Sequence, residues 1–216
     1  MKLNGAIFDL DGTLLDSMPI WETVARDYLI SMNKVPREDL REKLRPLSLS
    51  QSAEYFQREY GVTDTVQQII DGVNALLEHF YVHTAPVKEG VSDFLEALRQ
   101  RGVKMCVATA THTHLVKAAL SRTGLLPYFS AIFTCPDVGK SKDEPEIFLR
   151  ALAHLGTKMQ ETYVFEDALF AMQTARQAGF PIAAVYDLSA HGQQDRIKQL
   201  ADVYCESFVQ MKELLG

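Results

Sequence analysis

Residues 5–17 read Gly-Ala-Ile-Phe-Asp-Leu-Asp-Gly-Thr-Leu-Leu-Asp-Ser, so a short apolar run passes directly into two aspartates. A charge-free apolar run of this length is typical of a buried strand. Just beyond such a strand, Asp9 and Asp11 would repel each other and resist desolvation, so a bound cation or a shared proton is the expected compensation. Gly12 lets the backbone turn tightly towards a ligand, and Thr13 supplies a hydroxyl. A surface turn rich in Asp and Gly is the simpler alternative, but the segment favours a functional site.

From about residue 89 onward, the sequence alternates between amphipathic helical segments and short apolar runs. Apolar residues at helical spacing between positions 91 and 98 precede Gly102, where a helix can end. The same order recurs three more times, and the predicted strands are residues 5–8, 103–108, 131–134, 162–165 and 181–185. About five strands joined by helices predict an α/β fold with a doubly wound parallel sheet of Rossmann-like type. Such sheets bind ligands at the carboxyl ends of their strands.

Residues 16–83 carry no strand signal, and apolar residues recur at helical spacing between positions 66 and 80. This stretch interrupts the alternating pattern after the first strand. The sequence therefore predicts an α/β core of residues 1–15 and 84–216 with an inserted all-helical domain of residues 16–83. Trp21 and Tyr28, seven residues apart, are predicted to belong to the core of that insertion.

The composition is that of a globular protein, with 47% hydrophobic and 23% charged residues. The formal net charge of -6 argues against the broad basic surface that nucleic acid or anionic lipid would require, so neither partner is expected. Three scattered cysteines do not suggest a disulfide framework and fit a reducing compartment. The first residues lack the apolar length of a signal peptide or membrane span, so we expect a cytoplasmic protein. The sequence does not identify the oligomeric state and is compatible with a monomer.

Four segments together resemble the motifs of the haloacid dehalogenase superfamily of phosphohydrolases, in the order that the family shows. Residues 8–14 resemble the first motif, residues 107–109 the second, Lys142 ahead of residues 145–148 the third, and residues 164–167 the fourth. Each segment alone has an ordinary explanation as a strand end, a solvated lysine or a helix start. Their joint occurrence at predicted strand ends and helix starts favours the family. The helical insertion resembles the small cap domain of the same family.

The resemblance implies chemistry for the two aspartates of the first motif. Asp9 would attack phosphorus to form an aspartyl phosphate, and Asp11 would protonate the leaving oxygen and then activate water. Mg²⁺ would be the cofactor, held by the Asp9 carboxylate, the Asp11 backbone carbonyl and Asp167.

The resemblance also implies a cradle for the phosphoryl group, formed by Thr109, the backbone amide of Ala110 and Lys142. Lys142 is preferred over Lys140 because it stands three residues before Pro145, as in the family pattern. The positions expected to surround the metal ligands are Gly12, Thr13 and Glu166.

The implied function is a phosphatase for a small phosphorylated metabolite of the sugar phosphate or nucleotide class. A phosphosugar mutase of the β-phosphoglucomutase type is the enzymatic alternative, and a catalytically silent phosphate-binding or signalling domain is the non-enzymatic one. Within the insertion, a polar stretch between predicted helices supplies four candidates for substrate contact, with a solvated loop as the alternative. These candidates are Arg45, Ser48, Ser50 and Gln51.

Overall fold

The structure is a computed structural model that describes residues 2–44, 47 and 49–213. The chain divides into two compact units, Met1–Met18 with Ala85–Gly216, and Pro19–Thr84. Within the described ranges, no helix combines the length and apolar character that crossing a membrane requires.

The first unit contains a six-stranded sheet in which every neighbouring pair of strands is parallel. The strands are β1 (Gly5–Phe8), β2 (Lys104–Thr109), β3 (Ile132–Thr134), β4 (Thr162–Glu166), β5 (Ile182–Val185) and β6 (Val203–Cys205). Their order is β3-β2-β1-β4-β5-β6, which confirms the predicted doubly wound fold. The sheet has six strands, where the sequence predicted about five. Strand β6 was missed because it is only three residues long and lies between the polar Asp202 and Glu206, so it forms no apolar run.

The register of the sheet brings the ends of three strands together. Phe8 at the end of β1 lies beside Val107 of β2 on one side and Phe165 of β4 on the other. From β1 the chain winds outward through β2 and β3, and then returns to β4 on the opposite side of β1. The point between β1 and β4 is therefore the topological switch point, where sheets of this type bind ligands.

The described residues of the second unit form helices and no strand, as predicted for the insertion. Its helices are α1 (Met18–Ser31), α2 (Leu40–Leu44), α3 (Leu49–Tyr60) and α4 (Val66–His83). Tyr28 lies in its core with Phe56, and Gly72 of α4 allows this packing because a Cβ there would lie 2.5 Å from the Tyr28 ring. The core prediction is right for Tyr28 but wrong for Trp21, whose side chain is 48% exposed. Trp21 lies in the first turn of α1, ahead of the buried stripe that begins at Val24.

The remaining helices pack around the sheet. They are α5 (Val91–Gln100), α6 (Thr113–Arg122), α7 (Cys135–Val138), α8 (Glu146–Leu155), α9 (Leu169–Gln177), α10 (Gln194–Leu200) and α11 (Phe208–Glu213). Successive strand residues point to opposite faces, so Ile7 joins a cluster with Phe148 whereas Phe8 joins aromatic rings on the other face. The rings of Phe8 and Phe165 stack with centroids 4.3 Å apart. Burial on both faces holds the ends of β1 and β4 firmly in place.

Candidate active site

The loop after β1 is a compact turn that fixes the direction of the first aspartate. The backbone amide of Asp9 donates to the Phe165 carbonyl at 2.9 Å and so extends the sheet by one residue. Gly12, with φ of +78°, reverses the chain and donates to the Leu15 carbonyl, while the Leu15 amide donates back to Leu10. Leu10 and Leu15 are fully buried and anchor the turn in the core. Asp9 is therefore held at the carboxyl edge of the sheet with only 7% of its surface exposed.

A buried lysine links the ends of β1 and β4. The Lys142 ammonium donates to Asp9 Oδ1 and, at 2.6 Å, to Glu166 Oε1. Glu166 accepts with its other oxygen from the backbone amides of Asp167, at 2.9 Å, and Ala168, at 3.2 Å. Burial alone would lower the pKa of the Lys142 ammonium, but the two carboxylates outweigh burial and raise that pKa above its ordinary value.

The lysine next to this position along the chain behaves differently. Lys140 lies at the surface, where its ammonium donates to Glu144 at 2.8 Å. Asp143, the acid that follows Lys142, accepts a hydrogen bond from Ser141 at 3.0 Å. The neighbouring acids thus have other partners, and Lys142 is the lysine that reaches the nucleophile candidate.

Three carboxylates converge at this edge of the sheet. Oxygens of Asp9, Glu166 and Asp167 lie within 4.8 Å of one another. Burial and then the charge of Glu166 raise the pKa of Asp9 to about 8. Burial, followed by the charges of Glu166 and Asp9, raises the pKa of Asp167 well above its ordinary value. In the described part of the chain, one lysine ammonium thus faces three acids, and the pKa values of Asp9 and Asp167 are raised first by burial and then by the negative charge of the neighbouring acids.

These donors fit a hard divalent cation such as Mg²⁺, which prefers oxygen ligands and would supply the missing positive charge. Asp9 and Asp167 are the carboxylates that would hold it, because both oxygens of Glu166 already accept hydrogen bonds, one from Lys142 and the other from two backbone amides. Thr13 donates to Asp167 Oδ1 at 3.1 Å and fixes its orientation. Gly12 approaches the same carboxyl so closely that a Cβ would lie 2.4 Å from Asp167 Oδ2. Thr13 therefore binds the Asp167 carboxyl, and Gly12 leaves the space that this carboxyl occupies.

The second strand end supplies the hydroxyl expected for phosphate binding. Thr109 is the last residue of β2 and is buried, whereas Ala110 after it is exposed. The Thr109 hydroxyl accepts from the backbone amide of Thr111 at 3.1 Å, which closes a tight turn. Strand β2 is the immediate neighbour of β1, so Thr109 and Ala110 follow the strand next to Asp9.

Two residues that contact Asp11 were not predicted. Ser17 donates to Asp11 Oδ1 at 2.6 Å, and Thr111 donates to Asp11 Oδ2 at 2.5 Å. Both side chains are buried, Ser17 fully and Thr111 to 8% exposure. The available signal was that each is a hydroxyl residue within a few positions of a motif, but only the folded chain shows that both contact the same carboxyl.

A fourth buried acid lies near the cluster. Asp187 follows β5, pairs with Lys88 at 2.7 Å and accepts from the backbone amide of Ser189 at 2.9 Å. Its charge contributes to the raised pKa of Asp167. Its position two residues after β5, at the carboxyl edge of the sheet, is the sequence signal for Asp187.

The substrate candidates of the insertion are described in part. Arg45 and Ser48 lie outside the described residues. Ser50 and Gln51 lie in the first turn of α3, and both are exposed.

A fold and a site of this kind define a class of enzymes, and the comparisons with known proteins identify it. Residues 6–185 match the family model of the haloacid dehalogenase-like hydrolases. The chain belongs to this family.

Two named phosphatases are similar to this chain over nearly its whole length. A "Phosphorylated carbohydrates phosphatase" of Thermotoga maritima is 25% identical over 214 residues, which are 99% of this chain and 97% of that protein. "Hexitol phosphatase B" of Escherichia coli is 25% identical over 219 residues, 100% of this chain and 98% of that protein. A solved Thermotoga maritima protein, proposed to be a β-phosphoglucomutase, superposes with a TM-score of 0.84 at 23% identity, with 99% and 98% of the chains covered. This structural likeness supports the fold.

Proposed function

We propose that the chain is a Mg²⁺-dependent phosphatase that hydrolyses small phosphorylated metabolites through an aspartyl phosphate on Asp9. The observation that carries the proposal is the buried Lys142–Asp9 contact beside Asp167, at the switch point of the sheet. The proposal is supported by the closeness of two carboxylates and one fixed positive charge, because phosphoryl transfer needs a nucleophile and neutralisation of the phosphoryl oxygens. The phosphatase names of two relatives support the same reaction class.

The proposed reaction has two steps, both centred on phosphorus. In the first, an Asp9 oxygen forms a bond to phosphorus, the bond to the leaving oxygen breaks, and Asp11 gives that oxygen a proton. In the second, Asp11 takes a proton from water, the water oxygen attacks phosphorus, and the Asp9 carboxylate leaves. The products are the alcohol and inorganic phosphate, and both aspartates return to their starting forms.

The groups around Asp9 are suited to an anionic substrate. The Lys142 ammonium favours the carboxylate form of Asp9 and supplies positive charge for the phosphoryl oxygens. The Thr109 hydroxyl and the Ala110 amide would add neutral donors. Such local donors explain how a chain with a formal net charge of -6 could bind a phosphate ester.

Mg²⁺, when bound, would neutralise charge on the transferring phosphoryl group. Asp9 and Asp167 would hold it through their carboxylates, and Asp11 through its backbone carbonyl. Thr13 keeps Asp167 in one orientation through its hydrogen bond, while Glu166 keeps Lys142 beside Asp9.

For the substrate, we propose a phosphorylated sugar or polyol, since the names of two relatives refer to phosphorylated carbohydrates and hexitols. Nucleotides form the competing class. The helical insertion, residues 16–83, is proposed as a cap that selects the leaving group, with Arg45, Ser48, Ser50 and Gln51 as its candidate contacts. Replacement of Gln51 by alanine should then redistribute kcat/KM among sugar phosphates more than it changes activity on p-nitrophenyl phosphate.

The test is a phosphate-release screen with Mg²⁺ over phosphorylated sugars, polyols and nucleotides, with Asp9→Asn as the blank. We expect release from at least one sugar or polyol phosphate and none with the blank. Release at a near-parent rate by Asp9→Asn would refute the nucleophile assignment. Isomerisation of a phosphosugar with little phosphate release would instead identify a mutase.

A further inference from the structure

The carboxyl group of Asp11 is held at both of its oxygens by hydroxyl groups from two different segments. Ser17, in the segment that follows β1, donates to Oδ1 at 2.6 Å. Thr111, in the segment that follows β2, donates to Oδ2 at 2.5 Å. Two donors at opposite oxygens fix the plane of the carboxyl group, because rotation about either side-chain bond would break one of the hydrogen bonds.

The Thr111 hydroxyl is not required for the turn in which it lies. That turn is closed by the Thr111 backbone amide, which donates to the Thr109 hydroxyl at 3.1 Å. The side chain of Thr111 is therefore available for a separate task, and its hydroxyl is directed at Asp11. Through this one residue, the hydroxyl proposed to bind phosphate is connected to the carboxyl proposed to handle protons.

We infer that Thr111 is a positioning residue that aims the Asp11 carboxyl at the leaving oxygen, an inference that rests on the proposed function. Proton delivery to the leaving group requires hydrogen-bond geometry, so a carboxyl that can rotate delivers the proton less often. An alkoxide leaving group is a strong base and needs this proton. The p-nitrophenolate leaving group is a weak base and departs without it.

The two leaving groups distinguish positioning of Asp11 from a purely structural role of Thr111. A structural defect would lower kcat/KM for both esters alike, whereas a misplaced acid would lower kcat/KM mainly for the alkyl ester. The substrates are p-nitrophenyl phosphate and the sugar or polyol phosphate hydrolysed fastest in the screen. The parameter is kcat/KM, which reports the transfer of the phosphoryl group to Asp9 and excludes the later hydrolysis, where Asp11 acts alike for both esters.

We expect Thr111→Val to lower kcat/KM for the alkyl ester about 10-fold or more and for p-nitrophenyl phosphate less than about 3-fold, since general acid catalysis contributes about 100- to 10,000-fold in full. Thr111→Ser, which keeps the hydroxyl, should restore most of the alkyl ester activity. Thr113→Val is the matched control, because Thr113 is also a threonine of this segment but donates to Asp137. It should leave both substrates unaffected.

Two outcomes of the Thr111→Val measurement would overturn the inference. An equal loss on both esters, together with weaker inhibition by inorganic phosphate, would make Thr111 a phosphate ligand. An unchanged ratio of the two kcat/KM values in Thr111→Val, with inhibition by inorganic phosphate also unchanged, would show that Asp11 does not need this hydroxyl. If Thr111→Val does not fold, Thr111→Ala is measured in the same way. Asp11→Asn distinguishes a failure of this inference from a failure of the proposed function. An equal loss on both esters in Asp11→Asn would show that Asp11 is not the general acid, so that the proposed mechanism itself would be wrong.

Discussion

The ammonium of Lys142 lies 2.6 Å from Glu166 Oε1, and the same ammonium donates to the carboxylate of Asp9. Glu166 is itself fixed by the backbone amides of Asp167 and Ala168, which both donate to its other oxygen. Position 166, which immediately precedes a proposed metal ligand, thus serves to hold the lysine. Glu166 thus holds Lys142 in place, and Lys142 in turn holds the carboxylate of Asp9.

Glu166→Gln tests this dependence. The amide side chain can accept from Lys142 but carries no charge, and its NH₂ group cannot accept from the amides at positions 167 and 168. We expect the lysine to be less well fixed and kcat/KM to fall about 10-fold, the loss of roughly one charged hydrogen bond. Steady-state kinetics with Mg²⁺ in excess is the measurement. A variant with parent kinetics would show that Lys142 is held without Glu166.

Replacement of the lysine itself should have a larger effect, and the chain offers its own control. Lys142→Ala removes a charged hydrogen bond to Asp9 and a donor for the phosphoryl group, about 1.5–3 kcal/mol, or about 10- to 150-fold in kcat/KM. Lys140→Ala removes only an exposed pair with Glu144 and should retain parent activity. Both variants are compared under identical conditions of Mg²⁺ and substrate. A greater loss at Lys140 would contradict the assignment.

The pH dependence of Mg²⁺ binding should follow the proton on Asp9. Burial and the charge of Glu166 raise the Asp9 pKa from an ordinary 3.8 to about 8 in the metal-free protein. Because the folded chain binds this proton more tightly than the unfolded chain, the stability contributed by the protonated group is complete below 3.8 and is lost as pH rises through about 8. Metal binding requires the ionised carboxylate, so Mg²⁺ affinity should increase as pH rises.

The measurement is the shift of the unfolding midpoint on addition of Mg²⁺ at about pH 6 and about pH 9. At about pH 6, below the raised pKa of Asp9, most Asp9 carboxyls are protonated, so the shift should be smaller at the lower pH. Asp9→Asn is the control, and its residual shift should vary less with pH. Equal shifts at both pH values in the parent protein would contradict the prediction.

The sequence was informative at strand ends, where the local pattern marks the residues of the proposed site. An apolar strand followed at once by Asp9 and Asp11 can be recognised without a structure, because burial of adjacent acids requires compensation. Strand β6 could not be recognised, since its three residues are stabilised by pairing with β5 rather than by an apolar run of their own.

The contacts of Thr111 and Ser17 were equally beyond the sequence. Hydroxyl residues are common near strand ends, and only the parallel register of β1 and β2 brings these two to one carboxyl. Trp21 illustrates the opposite error, because seven-residue spacing predicts a shared helix face but does not show whether packing extends into the first turn.

Gly12→Ala tests whether the loop after β1 shapes the proposed metal site. Gly12 has φ of +78°, and a Cβ at this position would lie 2.4 Å from Asp167 Oδ2. The carboxyl would have to move away from Thr13, so we expect Mg²⁺ affinity to fall at least about 10-fold, as is typical when a support of a metal ligand is removed. Affinity is measured by calorimetric titration of the folded variant with Mg²⁺.

Gly102→Ala separates this effect from backbone strain. Gly102 has a similar φ of +71°, but a Cβ there would meet nothing within 4 Å. Both substitutions carry the cost of a left-handed conformation, about 1–2 kcal/mol of folding free energy, and both should therefore lower the unfolding midpoint. Only Gly12→Ala introduces a clash with a proposed metal ligand, so only it should also weaken Mg²⁺ binding. Equal Mg²⁺ affinities in the two variants would mean that Asp167 does not bind the metal in the orientation that Thr13 and Gly12 impose.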